Sequence, residues 1–158
     1  VSAEATGKKF NYIRWPGNYN TLVDNIKKIQ KLPHKITFNM TWNLLCVSNI
    51  LDFIDDMMEK GVHPNQFIMN FVQDPIEQSV RNITKQRRDE LVVDLTHRKS
   101  KMNDKFFLYK VYEEMIAILN KPLLDTHKTA LYNTLMDFDT KRKLNSKEVF
   151  PELYKEGI

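Results

Sequence analysis

Near the start of the chain the spacing of apolar residues changes from irregular to helical, and then to the alternation typical of a strand. Residues 1–17 are mostly polar and predict an irregular segment that ends in a turn signal, Trp-Pro-Gly. A helix is predicted next, with Asn18 or Asn20 as its N-cap, and Pro33 ends it. A short β-prone run over residues 35–40 then places every second side chain on one face. The apolar side chains of that face are Ile36, Phe38 and Met40.

The same order of helix and strand follows a second time. Ser48 is a good N-cap for a helix with a buried apolar stripe, and Gly61 ends that helix. Residues 67–72 are apolar at all positions but one, which is typical of a strand covered on both faces. Asp74 and Pro75 then predict the start of a third helix.

The second half of the chain has helical periodicity only. Residues 84–99 predict a charged helix with a narrow apolar seam, and residues 104–119 predict a strongly amphipathic helix. Pro122 is predicted to open another helix, and a last helical turn is expected over residues 146–154. No strand is predicted in this part of the chain.

Alternating helices and strands indicate right-handed βαβ crossovers and a parallel sheet. We therefore expect an α/β fold: a partial (β/α) barrel with two or three parallel strands, followed by a mostly helical C-terminal extension. The barrel segment is expected over residues 1–82, and the extension over residues 83–158 packs on it as one compact unit. Because so few strands cannot close a barrel, two edges and one face of the sheet need cover. That cover is expected from the N-terminal half of the barrel that this chain lacks, from the helical tail folding back over the sheet, or most simply from a second copy in a homodimer.

Composition and charge narrow the classes of protein to which the chain can belong. Its 158 residues fit one domain, and a hydrophobic fraction of 42% is enough for a core. The net charge of +4 permits an anionic partner without requiring one. Because Cys46 is the only cysteine, no disulfide can form within the chain, which favours a reducing, cytoplasmic compartment. No apolar run has the length of a membrane span, and the first residue, Val1, suggests a piece of a longer protein.

Amide and hydroxyl side chains cluster where the two predicted strands end. Asn39 lies near the end of the first strand and Asn70 lies within the second. Ligands of open parallel sheets and of barrels bind beyond the carboxyl ends of the strands, and asparagine offers both donors and an acceptor. A small-molecule site is therefore one interpretation; the other is that these amides cap backbone groups or bond to each other. Further candidates at the same two ends are Thr41, Trp42, Asn43, Gln73 and Asp74.

Several segments resemble the middle of a radical S-adenosylmethionine enzyme. VSAEATG at residues 1–7 is similar to the end of the fourth barrel strand in that family, and YIRWPG leads from it into a helix. KITFNMTWN and SNILDFIDDMMEKGV resemble the fifth strand and its helix, and FIMNFVQDP resembles the sixth strand. FDTKRKLNSKEVFPEL resembles the carboxy-terminal end of members with a SPASM or twitch type extension, in a subgroup found in phage and marine bacteria.

The resemblance implies a cofactor and four residues that contact it. Ser2 and Glu4 fall where the fourth strand of the family touches S-adenosylmethionine, and Asn39 and Asn70 fall on the polar positions of the fifth and sixth strands. The family also holds a 4Fe–4S cluster on three cysteines, whereas this chain has only Cys46, which is expected to be a small buried residue. The chain is thus expected to be the carboxy-terminal half of such a protein, catalytically inert alone and binding no cofactor by itself.

The charged residues allow a different class of function, a helical module that binds protein or nucleic acid. Basic residues cluster in three places along the predicted helices, although acidic residues lie among them and no aromatic residue is interleaved. An acidic helical face is expected to be solvated, and the four histidines show no metal-ligand spacing. The basic clusters are Lys85, Arg87 and Arg88; His97, Arg98, Lys99 and Lys101; and Lys141, Arg142 and Lys143. The acidic face is Asp52, Asp55, Asp56 and Glu59, and the histidines are His34, His63, His97 and His127.

Overall fold

The structure is a computed structural model that describes residues 1–33, 35–124 and 128–157. His34 and His127 lie outside the described residues. The helix predicted to open at Pro122 does not begin there, because residues 122–124 are not helical and the next described helix begins at Lys128. The described helices are α1 (Gly7–Ile13), α2 (Tyr19–Ile29), α3 (Asn49–Glu59), α4 (Lys85–Ser100), α5 (Phe107–Leu119), α6 (Lys128–Arg142), α7 (Ser146–Val149) and α8 (Pro151–Lys155). The strands are β1 (Phe38–Trp42) and β2 (Phe67–Phe71). None of these helices is both long and apolar enough to cross a membrane.

β1 and β2 lie side by side in a parallel sheet, and α3 connects them. The amino-terminal residues add a short third member on the other edge of β1. Ser2 forms a parallel bridge with Asn39, and the backbone nitrogen of Asn39 donates to the carbonyl of Val1 at 2.8 Å. The predicted α/β fold with parallel strands is confirmed. The described residues do not form a barrel, so the partial barrel stays a prediction.

The core sides of β1 and β2 meet α3 in a cluster of aromatic rings. The ring centroid of Phe38 lies 5.4 Å from that of Phe53 and 5.7 Å from that of Phe67. Side chains of the helical second half, among them Leu95 and Met115, belong to the same buried cluster. Burial of this apolar surface drives the helices of the second half onto the sheet.

α1 forms inside a segment whose sequence predicts irregular structure, residues 1–17. The helix buries Phe10 and Tyr12, and that burial outweighs the polar composition around them. The next helix agrees with the prediction, because the side chain of Asn18 caps α2 by accepting from the nitrogen of Thr21 at 3.1 Å. The prediction of an irregular segment is therefore wrong for α1, and the prediction of Asn18 as a cap is confirmed.

The α-helix predicted to begin at Pro75 is replaced by two turns of 3₁₀ helix, Ile76–Gln78 and Val80–Asn82. The side-chain amide of Asn82 donates to the carbonyl of Ile76 at 2.7 Å. It thereby takes an acceptor that a continuing α-helix would use for its own backbone.

β2 alternates between buried and exposed side chains, although its sequence predicts cover on both faces. Phe67 and Met69 are buried, whereas Ile68 is 42% exposed and Asn70 is also exposed. β1 alternates in step with it, so the sheet has a core face and an open face. The prediction of a doubly covered strand is wrong, because no described element packs over the second face. The side chains of this open face are Ser2, Asn39, Thr41, Ile68 and Asn70.

Candidate functional site on the open face of the sheet

Three of the four residues expected to contact a ligand lie together on the open face. Ser2 is paired directly with Asn39, which neighbours Ile68 on β2. Asn70 lies opposite Thr41, further along the same strand. Parallel pairing aligns three segments that are far apart in sequence, and in this way it brings residues 2, 39 and 70 side by side.

The two asparagines bond to each other across the strands. Nδ2 of Asn70 donates to Oδ1 of Asn39 at 2.5 Å and to the carbonyl of Met40 at 3.2 Å. This contact agrees with the interpretation in which the amides satisfy each other, but it uses only part of their capacity. Nδ2 of Asn39 and Oδ1 of Asn70 have no protein partner among the described residues. The pair therefore presents one free donor and one free acceptor on neighbouring strands.

Hydroxyl groups extend this polar strip on both sides. The hydroxyls of Ser2 and Thr41 make no side-chain hydrogen bond within the described part of the chain, and both side chains belong to the open face. Gln73 and Asp74 are exposed beyond the end of β2. The open face itself carries no ionised side chain, so it suits neutral polar groups better than a phosphate.

Glu4 is the fourth expected contact residue, and it forms an ion pair next to this strip. Its side chain is 2% exposed, and Oε2 accepts from Nε of Arg14 at 3.0 Å and from Nη2 at 2.6 Å. Burial raises the pKa of Glu4 above its usual 4.5, while the hydrogen bonds and the charge of Arg14 oppose that shift. Because the guanidinium neutralises the carboxylate, a ligand contact at Glu4 depends on its other oxygen, Oε1.

Asn43 and Trp42, two candidates at the end of β1, stabilise the local backbone. Oδ1 of Asn43 accepts from the nitrogens of Leu45 and Cys46 at 2.9 and 3.3 Å and so caps a 3₁₀ turn. Trp42 is buried, and its Nε1 donates to the carbonyl of Val47 at 2.9 Å. Both side chains therefore have structural partners and do not line the open face.

The thiol of Cys46 is buried at the same 3₁₀ turn. Its Sγ donates to the carbonyl of Thr41 at 3.4 Å, and burial raises the pKa of the thiol to about 12. The prediction of a small buried residue is confirmed. Across residues 1–33, 35–124 and 128–157, no three His, Cys, Asp or Glu side chains are grouped to hold a metal ion.

Most cations of α4 are already bound to acidic side chains. Arg87 donates to Glu156 at 2.8 Å, and Arg98 binds Asp55 at 2.6 Å. Ser48 takes the N-cap position of α3 as predicted, but its hydroxyl accepts from Arg87 instead of from the helix. Two residues of the acidic face are therefore tied to neighbouring helices, Asp55 to α4 and Asp56 to Tyr19 of α2, whereas Asp52 and Glu59 are exposed. The ion pairs weaken the positive field of α4. Further pairs are Lys85–Asp89, Arg88–Asp89, Lys99–Glu113 and Lys141–Asp137.

Sequence reasoning does not identify a buried polar cluster that joins α1 to the last helices. Oδ1 of Asp139 accepts from the hydroxyl of Tyr12 at 2.9 Å, and Oδ2 accepts from the hydroxyl of Ser146 at 2.7 Å. The nitrogen of Ser146 also donates to both oxygens, at 2.9 and 2.8 Å. An Asn-x-x-Glu capping pattern in the sequence marks the start of α7, but it carries no signal for the partner on α1.

Comparison with known proteins found no match for the chain. No protein-family model matches it, and neither does a curated protein or a solved structure. The family is therefore not shown, and the relationship to radical S-adenosylmethionine enzymes remains an expectation. The function has to be inferred from the open face and from the polar groups on it.

Proposed function

We propose that the open face is one wall of a binding site for a small polar molecule and that a second protein surface completes the site. The observation that carries this proposal is the Asn39–Asn70 pair, with a free donor and a free acceptor on an open parallel sheet. Parallel sheets are normally covered on both faces. An uncovered face that carries amides and hydroxyls therefore favours a ligand held between two surfaces.

The chemistry of the strip favours a ligand edge on which an acceptor lies beside a donor. Adenine has such an edge, because N7 accepts and the N6 amino group donates, and asparagine reads this pair in nucleic acids. The resemblance to the radical S-adenosylmethionine family makes the adenosyl group of that cofactor the preferred candidate. In that setting Ser2, Asn39 and Asn70 would contact the ligand, and Glu4 would lie at the rim of the site.

The chain is proposed to contribute one wall that orients the ligand, and to perform no reaction by itself. A 4Fe–4S cluster of the family type needs three cysteine thiolates, and the sequence has only Cys46. Under the proposal this chain is the carboxy-terminal half of a barrel-type protein, and the completing polypeptide supplies the reactive group.

Titration with S-adenosylmethionine, adenosine and methionine, followed by amide NMR shifts, tests the ligand. We expect adenosine and S-adenosylmethionine to shift signals of β1 and β2 at millimolar concentration, and methionine to leave them unchanged. Asn39→Ala and Asn70→Ala should each weaken binding by about tenfold, which corresponds to about 1.4 kcal/mol for one hydrogen-bonding side chain. Asn20→Ala is the matched control, because this amide is exposed on α2. Equal effects of all three substitutions, or no shift on β1 and β2, would refute the proposal.

A second copy of the chain is the simplest surface that could complete the site. Ile68 places an exposed apolar side chain beside the amides, and a two-fold dimer would bury this residue from both copies. Size-exclusion chromatography with light scattering at micromolar concentration should show a dimer. Ile68→Lys should yield a folded monomer. A wild-type monomer over the whole concentration range would exclude the homodimer.

A further inference from the structure

Trp15 and the last turn of α6 form a surface that spacing in the sequence does not indicate. The side chain of Trp15 is 50% exposed, and the guanidinium carbon of Arg142 lies 6.0 Å from its ring centroid. The same guanidinium lies 4.0 Å from the ring of Phe138 and donates from Nη1 to the carbonyl of Tyr12 at 3.1 Å. Arg142 is therefore held against two aromatic rings, one of which is open to solvent.

The positive charge of this surface is not neutralised in the described part of the chain. The hydrogen bond from the Arg142 side chain goes to a carbonyl, and no carboxylate within the described ranges forms an ion pair with Arg142 or Lys143. Lys141, by contrast, is paired with Asp137 at 2.8 Å. Arg142 beside the exposed indole and its neighbour in sequence, Lys143, thus remain available to an anionic partner, whereas the cations of α4 are largely bound to acids.

The backbone of Lys143 adds an independent observation. Its φ of 54° lies in the left-handed region, where glycine or asparagine normally ends a helix. The turn that it forms lets the nitrogen of Leu144 donate to the carbonyl of Asp139 at 3.1 Å. Glycine adopts this backbone conformation with less strain than lysine does. The presence of lysine here therefore suggests that the side chain itself has a role.

A shallow cleft of about 410 Å³ adjoins Lys143 between α1 and α7. Its walls include the amides of Asn11 and Asn145 and the side chain of Leu144. The one carboxylate in its lining, that of Glu148, is paired with Lys8 at 2.7 Å. Tyr12, whose carbonyl holds Arg142, also lines this cleft, so the cleft and the aromatic surface share a wall. A cavity of this size is comparable to the sites that hold small organic ligands.

We propose that the surface formed by Trp15, Arg142 and Lys143, with the adjoining cleft, binds single-stranded nucleic acid. Unpaired bases stack on exposed indole rings and on guanidinium planes, and lysine contacts the phosphates between them. An acidic peptide would use the two cations without needing the indole, and a membrane would need a broader apolar area. The juxtaposition of an open indole with cations that lack an acidic partner therefore favours nucleic acid. This proposal is independent of the open face of the sheet.

The two tryptophans of the chain give a direct assay. Trp42 is 0% exposed and Trp15 is half exposed, so quenching of the accessible fluorescence by a short poly-uridylate reports on Trp15. Binding is measured in parallel by the anisotropy of a labelled oligonucleotide at several salt concentrations. Each phosphate of a single strand that a cation neutralises contributes about −0.7 to the slope of the logarithm of the association constant against the logarithm of the salt concentration. With two cations in contact, we therefore expect a slope of about −1.4.

Substitutions separate stacking from general charge. Trp15→Ala should weaken binding by about tenfold or more, as expected for one stacked base. Lys143→Gly suits the left-handed backbone and should keep the fold while weakening binding and reducing the salt slope by about half. The control for Trp15→Ala is Tyr132→Ala, which removes an aromatic side chain that is 41% exposed on α6. The control for Lys143→Gly is Lys28→Ala, which removes an exposed lysine on α2.

Four results would overturn the proposal. The first is an absence of oligonucleotide binding at low salt, and the second is an equal loss in the Tyr132→Ala or Lys28→Ala control. The third is binding of heparin, a polyanion without bases, with the same dependence on Trp15. The fourth is binding of an acidic peptide that depends on Trp15 as strongly as the oligonucleotide does.

Discussion

Asp139→Ala tests whether the buried cluster at the end of α6 holds α1 and the carboxy-terminal helices together. The substitution removes the acceptor of the Tyr12 hydroxyl, of the Ser146 hydroxyl and of the Ser146 nitrogen. Ser146 is fully buried and Tyr12 is almost so, which keeps water from replacing the lost carboxylate easily. The variant therefore leaves polar donors inside the protein without their charged partner.

The hydrogen bonds of Asp139 determine how much stability the Asp139→Ala variant is expected to lose. A hydrogen bond to a charged group contributes about 1.5–3 kcal/mol, and three donors lose such a bond. Both hydroxyls keep an uncharged partner, since Ser146 Oγ lies 2.5 Å from the hydroxyl of Tyr154 and the Tyr12 hydroxyl lies 3.4 Å from the carbonyl of Leu135. With that compensation we expect the free energy of unfolding to fall by about 3–4 kcal/mol. Domains of this size are stable by about 5–15 kcal/mol, so the loss is readily measured.

Urea denaturation, followed by far-UV circular dichroism and by the fluorescence of the buried Trp42, measures this change. Asp137→Ala is the matched control, because Asp137 lies on the same helix and makes one exposed ion pair with Lys141 at 2.8 Å. Loss of this ion pair should lower the free energy of unfolding by no more than about 0.5 kcal/mol. A loss below about 1 kcal/mol for Asp139→Ala, or equal losses for both variants, would refute the assigned role of the cluster.

Three other predictions follow from single side chains. Because burial raises the pKa of Glu4 above 4.5, its contribution to stability is fully present below that pH and is lost as the pH rises through the raised value. The free energy of unfolding of the wild type relative to Glu4→Gln should therefore fall as the pH rises above 4.5, and urea titrations that show a rise would contradict this sign. Lys143→Gly should raise the stability by up to about 1 kcal/mol, since it relieves a left-handed non-glycine residue; a clear loss in thermal unfolding would mean that the lysine side chain stabilises the fold. Cys46 should resist a thiol reagent in the native protein and react fully in urea, and fast labelling of the native protein would show that the 3₁₀ turn at the end of β1 opens.

The open face shows how far sequence reasoning can reach towards a site. Asn39 and Asn70 are identified as candidates because each lies on a predicted strand, and parallel strands that follow each other usually become neighbours. Ser2 is a candidate only through the family resemblance, and its bridge to Asn39 places it on the same face. Sequence periodicity predicts Ile68 to be buried, however, because an apolar run gives no sign that one side of the strand has no cover.

The local pattern of the chain is sufficient for most of its elements. Asn18 caps α2, and Gly61 ends α3 with a φ of 86°, because a cap or a left-handed turn depends only on neighbouring residues. The core side of β1 likewise follows from alternating apolar residues over a few positions.

Only the tertiary structure decides which distant groups meet. The contacts between Asp139 and Tyr12 and between Arg142 and Trp15 join residues more than a hundred positions apart. No spacing rule encodes them, because each pair forms only after apolar burial has brought α1 against the carboxy-terminal helices. The same burial determines which face of the sheet is left uncovered, and both candidate surfaces of this protein therefore depend on packing rather than on motif.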